Sequence, residues 1–250
     1  MTEKIVTAGL LIIGNEILSG RTQDANMAFL GRRLNEIGVR LLEVRVVPDI
    51  EGDIVTAVNA LRARFDYVFT TGGIGPTHDD ITAEAVAKAF GVGLVRHEPT
   101  FRLMGSRYQP GEFNAARQKM CYLPEGATPI DNAVSIAPGF QIGNVFVLAG
   151  VPSIMRAMVD TLKNRLVGGA PVASRTVSVF LAEGVVAEGL AALQRKYPAI
   201  DIGSYPFYRV GRFGTSLVLR GTEPATLDRA AGELEALVRS LGADPVREDA

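Results

Sequence analysis

The sequence predicts an α/β protein, in which helices cover both faces of a mostly parallel sheet as a three-layer sandwich, followed by a small α+β domain. Short apolar runs alternate with segments whose apolar residues recur at helical spacing, which is typical of α/β folds. The alternation changes after Gly168–Pro171, a linker-like sequence. Hydrophobic residues make up 47% and charged residues 21% of the 250 residues, as in globular chains. We therefore expect one domain over residues 1–170 and a second over residues 171–250.

The first domain is predicted from four apolar runs and the amphipathic segments between them. Each run stops at glycine or proline, which favours strands at Ile5–Ile13, Val39–Val47, Tyr67–Thr71 and Val145–Ala149. Periodic apolar residues predict helices at Asn26–Ile37, Glu51–Phe65, Ile81–Phe90 and from Pro152 to about Val167. The segment Glu98–Cys121 is expected to be helical and irregular. Because helices connect the successive strands, those strands should run mostly parallel.

The second domain is predicted to be a βαββα unit. One strand and one helix are followed by two strands in succession and then by a last helix. The predicted elements are, in that order, Thr176–Leu181, Val185–Tyr197, Ile200–Tyr205, Ser216–Arg220 and Pro224–Leu241. This order departs from the regular alternation of the first domain, so we expect a separate packing unit.

Composition and charge restrict the classes of function. Lys and Arg number 26 against 27 Asp and Glu, and the resulting net charge of −1 argues against a nucleic-acid-binding protein. The single cysteine, Cys121, excludes an intramolecular disulfide framework and a cysteine-rich metal site, and we expect it to be a packed apolar residue. The apolar run Ile5–Ile13 is too short to span a bilayer, and charges recur throughout the chain. We therefore expect a cytoplasmic protein without membrane association.

Three polar or glycine-rich loops follow predicted strands: Gly14–Gly20, Pro48–Asp49 and Thr70–Asp80. Ligands bind at the carboxyl ends of strands in open α/β sheets, so we expect these loops to converge. In the third loop, glycines let backbone N–H groups approach an anion, and the following helix offers further N–H groups to a phosphate. Asp79 and Asp80 would repel that phosphate unless a divalent cation lay between them. The loop therefore predicts a phosphorylated small-molecule ligand held with Mg²⁺ or a similar ion.

Other interpretations of the third loop remain open. One of its aspartates could simply cap the helix, and its glycines could serve only as turns. The loop lacks the Gly-x-Gly-x-x-Gly pattern of dinucleotide-binding folds and the Gly-Lys-Ser/Thr of a P-loop. No Gly-x-Ser-x-Gly elbow occurs, so hydrolysis would require metal-assisted attack by water. In that scheme Asp79 and Asp80 hold the ion, and Glu16 or Asp49 orients the water.

Several collinear motifs resemble those of one family. Gly72–Thr82 is similar to the signature of the MoaB/Mog molybdopterin-binding domain, in the version found in competence/damage-inducible protein A (CinA). The other matching segments follow along the chain: Ile12–Gly20, Asn132–Ala133, Ala137–Gly139, Gly150–Ser153 and, in the second domain, Gly203–Pro206. CinA carries an additional C-terminal amidohydrolase domain, to which nothing in these 250 residues corresponds. The resemblance implies a MoaB/Mog-like fold.

The resemblance also implies phosphate or pyrophosphate chemistry. MoaB/Mog relatives bind molybdopterin or its adenylate, CinA-type relatives include metal-dependent pyrophosphatases of ADP-ribose-like nucleotides, and FAD synthases carry a similar domain linked to FAD hydrolysis. We therefore expect a nucleotide pyrophosphatase that uses Mg²⁺, Mn²⁺ or Co²⁺, with molybdopterin or an adenine nucleotide as ligand. The alternative is a non-hydrolytic molybdopterin-binding protein of molybdenum cofactor biosynthesis. Family members are dimers, trimers or hexamers, which implies a homo-oligomer.

The resemblance places the family's functional aspartates at Asp49 and Asp80, and Asp79 is the additional acid of the CinA-type sequence. We expect Asp49, Asp80 and Glu16 to be catalytic, and Asp79 and Asp80 to be metal ligands. The residues expected to contact the ligand lie in or beside the matching motifs: Gly14, Asn15, Gly72, Gly73, Gly75, Pro76, Thr77, Asn132, Ser135, Gly139 and Ser153. The family's usual Gly-Thr, Pro and Glu are replaced by Ser135–Ile136, Ala149 and Ile154. The departures at Ala149 and Ile154 keep the non-hydrolytic alternative open.

Overall fold

The computed structural model describes residues 5–162, 164–209 and 211–248. The chain divides into two compact units, Met1–Gly169 and Ala170–Ala250. The first contains a six-stranded sheet and a separate two-stranded sheet, and the second contains a four-stranded sheet.

The six-stranded sheet of the first unit is mostly parallel, as the sequence predicts. The strands of this unit are β1 (Val6–Ile13), β2 (Val39–Val47), β3 (Tyr67–Thr71), β4 (Leu94–Arg96), β5 (Tyr122–Pro124), β6 (Thr128–Ile130), β7 (Gly139–Ile142) and β8 (Val145–Leu148). The large sheet has the order β2-β1-β3-β8-β7-β6, and β4 pairs with β5 separately. β2, β1, β3 and β8 are mutually parallel, whereas β7 runs antiparallel to both β8 and β6. The four short strands β4 to β7 were not predicted.

Two helical layers enclose this sheet and make the three-layer sandwich. The helices are α1 (Asn15–Leu18), α2 (Asn26–Glu36), α3 (Glu51–Arg64), α4 (Thr82–Phe90), α5 (Glu98–Gly105), α6 (Ala115–Lys119) and α7 (Pro152–Thr161). Buried residues of α2 and α7 share one core cluster with Leu10 and Phe69, while those of α3 and α4 share another with Leu11 and Val68. Adjacent strand residues point to opposite faces of a sheet, so Leu10 and Leu11 belong to different layers.

Helix α7 is shorter than the sequence predicts. It ends at Thr161 with Leu162 as its C-cap, instead of continuing to about Val167, and Lys163 lies outside the described residues. The Val167 backbone N–H instead donates to the Tyr67 hydroxyl at 2.8 Å. This contact anchors the chain beside the start of β3.

The second unit is an α+β domain with an antiparallel sheet. Its elements are β9 (Ala173–Val179), α8 (Glu183–Lys196), β10 (Asp201–Arg209), β11 (Arg212–Gly221), α9 (Pro224–Ser240) and β12 (Val246–Glu248). The sheet order is β10-β11-β9-β12, so β12 extends the predicted βαββα unit by one edge strand. Val177, Leu217 and Leu234 are fully buried in the core between sheet and helices.

Across the described ranges, none of the helices has both the length and the apolar character that a membrane crossing requires.

Cys121 follows α6 and is expected to be chemically inert in the folded protein. Its side chain is fully buried and its Sγ lies 3.5 Å from the Met104 Sδ. Burial raises the pKa of the thiol to about 11, so almost none is thiolate at pH 8.

We expect a thiol reagent to modify Cys121 only as fast as the first unit unfolds, with full reactivity in denaturant. Because only the unfolded thiol ionises between pH 9 and pH 11, stability should fall as the pH rises through that interval. Rapid labelling under native conditions would contradict this account.

Candidate functional site

A cleft of about 550 Å³ opens at the carboxyl ends of β1, β3 and β8. This is the edge of the sheet where an α/β fold places ligands. Seven of the residues predicted for the site line it: Glu16, Gly72, Gly73, Gly75, Pro76, Asp80 and Ser135. The segment Ala149–Pro152, which follows β8, forms another wall. The first and third predicted loops therefore meet in one cleft with the loop after β8.

The glycines of the third loop are required by close backbone packing. Gly72 has φ 104°, and a Cβ there would overlap the carbonyl oxygen of Ile13. Gly73 has φ 67°, and a Cβ there would overlap the Thr82 hydroxyl oxygen. Both backbone conformations are ones that residues with a side chain rarely adopt. The loop is thus held against β1 and α4, while Gly75 leaves room for the carboxylate of Asp80, 2.7 Å from where a Cβ would stand.

Asp80 organises the loop and faces the cleft. Its Oδ2 accepts hydrogen bonds from the Thr77 N–H at 2.8 Å and from the Thr77 hydroxyl. Its backbone carbonyl accepts a hydrogen bond from the Lys119 Nζ at 2.5 Å, and Lys119 also lies 3.3 Å from Glu84. The N-cap residue of α4 is Ile81, without a side-chain capping bond, so the interpretation of either aspartate as a helix cap is wrong.

Asp79 lies beside the cleft and is not among the residues that line it. Its side chain is 60% exposed, and the fully exposed His78 approaches it to 4.0 Å. Hydrogen bonding by Thr77 is the main cause that holds the pKa of Asp79 below its usual value, so this carboxyl is ionised at neutral pH. Among the described residues, no three His, Cys, Asp or Glu side chains are grouped closely enough to hold a metal ion by themselves.

The first loop places Glu16 in the cleft, and Asp49 fixes that loop. The Oδ2 of Asp49 accepts a hydrogen bond from the Asn15 N–H at 2.9 Å, at the start of α1. The Glu16 carboxylate folds back over Gly14, where a Cβ would stand only 2.6 Å from both of its oxygens. Asp49, Gly14 and Asn15 do not line the cleft themselves. Asp49 holds the backbone of the residue before Glu16, and Gly14 leaves room for the Glu16 carboxylate.

The remaining predicted contacts have mainly local partners. Asn132 is buried, and its Oδ1 accepts hydrogen bonds from the backbone N–H groups of Val134 and Ser135. Its Nδ2 donates a hydrogen bond to the Ala137 carbonyl at 2.7 Å, so the side chain holds the loop in shape. This loop holds Ile136 at φ 67°, a strained conformation for a β-branched residue. Of the predicted ligand contacts, those absent from the cleft lining are Gly14, Asn15, Thr77, Asn132, Gly139 and Ser153.

The cleft also has apolar and aromatic walls that the sequence did not indicate. Tyr108 stacks on Phe113, with ring centroids 5.7 Å apart and an interplanar angle of 8°, and the Arg117 guanidinium lies 4.4 Å from the Tyr108 centroid. Further lining residues come from three segments: Thr22, Met120, Ile154 and Met158. The departures Ala149 and Ile154 thus border the same space. Tyr108 lies in an irregular segment without hydrophobic periodicity. The only feature of the sequence that could have indicated a site role is an aromatic residue close to Pro110 and Gly111.

The fold and the cleft define an α/β domain with a glycine-rich loop in an open cleft at the carboxyl ends of its parallel strands. Residues 9–168 match the family described as probable molybdopterin binding domain, and residues 171–245 match the middle domain of FAD synthase. The chain belongs to the first of these families, and the resemblance indicated by its motifs is confirmed.

Similar proteins occur in archaea. A protein of Pyrobaculum calidifontis is 36% identical over 214 residues, covering 80% of each chain. A protein of Aeropyrum pernix is 36% identical over 210 residues, covering 80% of this chain and 78% of its own. Among solved structures, the protein CinA of unknown function from Thermoplasma acidophilum is similar, with 34% sequence identity and a TM-score of 0.61. That similarity covers 64% of this chain and 96% of the Thermoplasma chain.

Proposed function

We propose that the cleft binds a pterin- or nucleotide-linked phosphate or pyrophosphate, and that the protein hydrolyses a nucleotide pyrophosphate of the ADP-ribose or FAD type with a divalent cation. The observation that carries the proposal is the meeting of Glu16, Asp80 and the glycine loop in one cleft at the strand ends. The cleft is large enough for a heterocycle as well as a pyrophosphate, and Tyr108 contributes an aromatic side chain to its wall.

The residues around Asp80 fit a Mg²⁺ ion that shares its coordination with the ligand. Mg²⁺ sites often use one or two carboxylates, with substrate phosphate oxygens and waters completing the shell. Asp80 supplies a carboxylate at the cleft wall, and we propose that the exposed carboxylate of Asp79 contributes from the loop's outer side. A protein-only cage is not required, which agrees with the lack of a three-ligand group in the described part of the chain.

Side chains of the cleft would have separate roles in hydrolysis. A bound divalent cation would supply Lewis-acid stabilisation of the phosphate oxygens. We propose that Glu16 accepts a proton from the attacking water. The water oxygen bonds to phosphorus as the bridging P–O bond breaks. Asp49 holds the α1 turn through the Asn15 N–H and therefore acts as a positioning residue for Glu16. Ser135 lies at the cleft wall, and we propose that its hydroxyl, which donates to the Asn132 Oδ1 at 3.2 Å, turns to donate to a phosphate oxygen when the ligand binds.

The test is a hydrolysis panel of ADP-ribose, FAD, NAD and molybdopterin adenylate. Each is incubated with the full chain and Mg²⁺, Mn²⁺ or Co²⁺, and the released nucleotides are separated by chromatography. We expect at least one substrate to be cleaved at its pyrophosphate, with the activity removed by a chelator and restored by the metal. Absence of cleavage with every metal would contradict the hydrolase proposal.

The alternative proposal is a non-hydrolytic molybdopterin-binding protein. Ala149 and Ile154 favour it, because both line the cleft where the family's usual proline and acid would stand. Met120 and Met158 also line the cleft, and their apolar surface suits a flat heterocycle better than an attacking water. Tight molybdopterin binding without turnover in the same panel would support this alternative.

We also propose that the protein forms a homo-oligomer. Tyr208 is 64% exposed and Phe213 is 74% exposed, and these paired rings leave apolar surface on the second unit. Light scattering on the full chain would give its mass, and a value equal to one chain would contradict this proposal.

A further inference from the structure

The turn Thr77–Asp80 carries the carboxylate that we propose binds the divalent cation. Its hydrogen bonds are mostly internal: the Asp80 Oδ2 accepts from the Thr77 N–H at 2.8 Å, and the Asp80 N–H donates to the Thr77 carbonyl at 3.3 Å. In the described part of the chain, one hydrogen bond joins this turn to another element. The Lys119 Nζ, at the end of α6, donates to the Asp80 carbonyl at 2.5 Å.

Glu84, in the first turn of α4, holds the Lys119 ammonium in place. The two charged groups lie 3.3 Å apart, and their side chains are 36% and 32% exposed. The Glu84 Oε2 is buried and has no hydrogen-bond partner, so this carboxylate is partly removed from water. Its attraction for the ammonium is therefore screened less than in a fully exposed pair. Because the pair is neutral as a whole, Lys119 brings no net positive charge to the proposed cation site.

Lys119 is not among the residues that line the main cleft. With Glu84 it lines a separate cavity of about 20 Å³, which has room for about one water. Gly73, Gly75 and Asp80 line both spaces, so the glycine loop stands between the Lys119 ammonium and a ligand in the cleft. An effect of Lys119 on that ligand must therefore pass through Asp80.

Helix α6 also reaches the aromatic wall of the cleft. The Arg117 guanidinium, on the same helix, lies 4.4 Å from the Tyr108 ring centroid. Met120 follows Lys119 directly and lines the cleft, as Tyr108 does. One short helix thus contacts both the turn that carries Asp80 and the side chain that forms the aromatic wall. The position of Asp80 is tied to that wall through Lys119.

We propose that Lys119 is a positioning residue, which holds the Asp80 carboxylate in the geometry that a Mg²⁺ ion requires. Mg²⁺ demands near-ideal octahedral coordination, whereas Ca²⁺ accepts flexible arrangements of oxygen ligands. Loss of the Lys119 contact should therefore affect Mg²⁺ more than Ca²⁺. This role rests on the proposed function, because it concerns the divalent cation proposed for the same cleft.

The test uses a pair of Lys119 variants, a double variant and a matched control. Lys119→Met removes the ammonium, and Lys119→Arg keeps the charge. Because Lys119→Met leaves the Glu84 carboxylate without its charge partner, the double variant adds Glu84→Gln and should unfold closer to the wild-type temperature. The control is Lys88→Met, since Lys88 also lies on α4, pairs with the exposed Glu51 and is outside the cleft lining. Circular dichroism gives the unfolding temperature of each variant.

Calorimetry with α,β-methylene-ADP, whose diphosphate cannot be hydrolysed, measures binding in chelator, in Mg²⁺ and in Ca²⁺. We expect Mg²⁺ to lower the Kd of the wild-type chain and of Lys88→Met at least about tenfold. In both variants with Lys119→Met, this Mg²⁺ effect should shrink about fivefold to tenfold, whereas the Ca²⁺ effect should stay within about twofold of wild type. Lys119→Arg, which can still donate to the Asp80 carbonyl, should bind in Mg²⁺ within about threefold of the wild-type chain.

Hydrogen exchange without metal or ligand tests the position of the turn directly. We expect residues 77–81 to exchange at least about tenfold faster in the double variant than in the wild-type chain, with α3 unchanged. Unchanged exchange of this turn would overturn the role of Lys119, and so would an equal loss of the Mg²⁺ and Ca²⁺ effects.

The wild-type chain reports separately on the proposed function. Selective loss of the Mg²⁺ effect in the Lys119 variants, with no substrate cleaved by the wild-type chain, would support the role of Lys119 and reject the hydrolase. Cleavage of ADP-ribose by the double variant at the wild-type kcat/KM would reject the role of Lys119 and leave the hydrolase standing. A wild-type chain whose binding Mg²⁺ does not strengthen would overturn this role together with the proposed metal site.

Discussion

Replacing Asp80 by asparagine should lower kcat/KM for a nucleotide pyrophosphate at least about 100-fold, because it removes the carboxylate charge that we propose holds the divalent cation. The amide oxygen of asparagine can still accept the Thr77 N–H, which the Asp80 Oδ2 accepts at 2.8 Å in the wild-type chain. The loop should therefore keep its shape. The loss should appear as a requirement for much higher metal concentration as well as a lower kcat.

The measurement is a metal titration of hydrolysis with Asp80→Asn beside Asp53→Asn. Asp53 is exposed in the first turn of α3 and stands outside the cleft lining, so its substitution removes the same charge without touching the site. We expect Asp53→Asn to match the wild-type chain within about twofold, as is usual for exposed surface changes. Ligand affinity with and without Mg²⁺ gives a second readout if turnover is too slow to follow. An Asp80→Asn chain with unchanged metal dependence would remove Asp80 from the proposed site.

The main strands and helices could be predicted because burial leaves a clear periodic signal. Val39–Val47 and Tyr67–Thr71 form strands with the predicted bounds, since each is a β-rich run that ends at proline or glycine. Strands β6 and β7 could not be found in the same way. They are three and four residues long, and Pro129 and Gln141 interrupt their apolar character. Their pairing with each other and with β8 depends on tertiary packing, and not on a local pattern.

The candidate site could be predicted where it follows from strand ends, and less well elsewhere. Glu16 and Asp80 line the cleft because their loops leave neighbouring strands at the same edge of the sheet. The motif predicts a ligand contact for Asn132, whereas in the structure its side chain makes hydrogen bonds within its own loop. A sequence motif cannot separate these two roles, since both require a polar side chain at a fixed place. Tyr108 reaches the cleft from an irregular segment, where no periodicity indicates which way a side chain points.

Gly72→Ala should lower the free energy of unfolding of the first unit by about 4 kcal/mol, among the largest effects expected of a single methyl group. Two independent causes combine. The backbone has φ 104°, a region that alanine rarely adopts, and the new Cβ would overlap the Ile13 carbonyl oxygen at the end of β1. The Gly72 backbone cannot shift away from Ile13 without losing contacts. Its N–H donates a hydrogen bond to the Leu148 carbonyl at 3.2 Å, and Gly150 lies close to its Cα.

Gly52→Ala is the matched control, since a Cβ at that α3 position meets no atom within 4 Å and its φ is not in the left-handed region. It should stabilise the chain by at most about 1 kcal/mol, the alanine-over-glycine preference of a helix interior, because Gly52 lies in the first turn of α3. The chain has no tryptophan, so urea unfolding is best followed by far-ultraviolet circular dichroism, with the two units treated as separate transitions. If Gly72→Ala unfolded at the wild-type urea concentration, the close approach of the glycine loop to β1 would be wrong. The loop would then have room to move, and the cleft would lack the rigid phosphate-binding wall on which the proposed function depends.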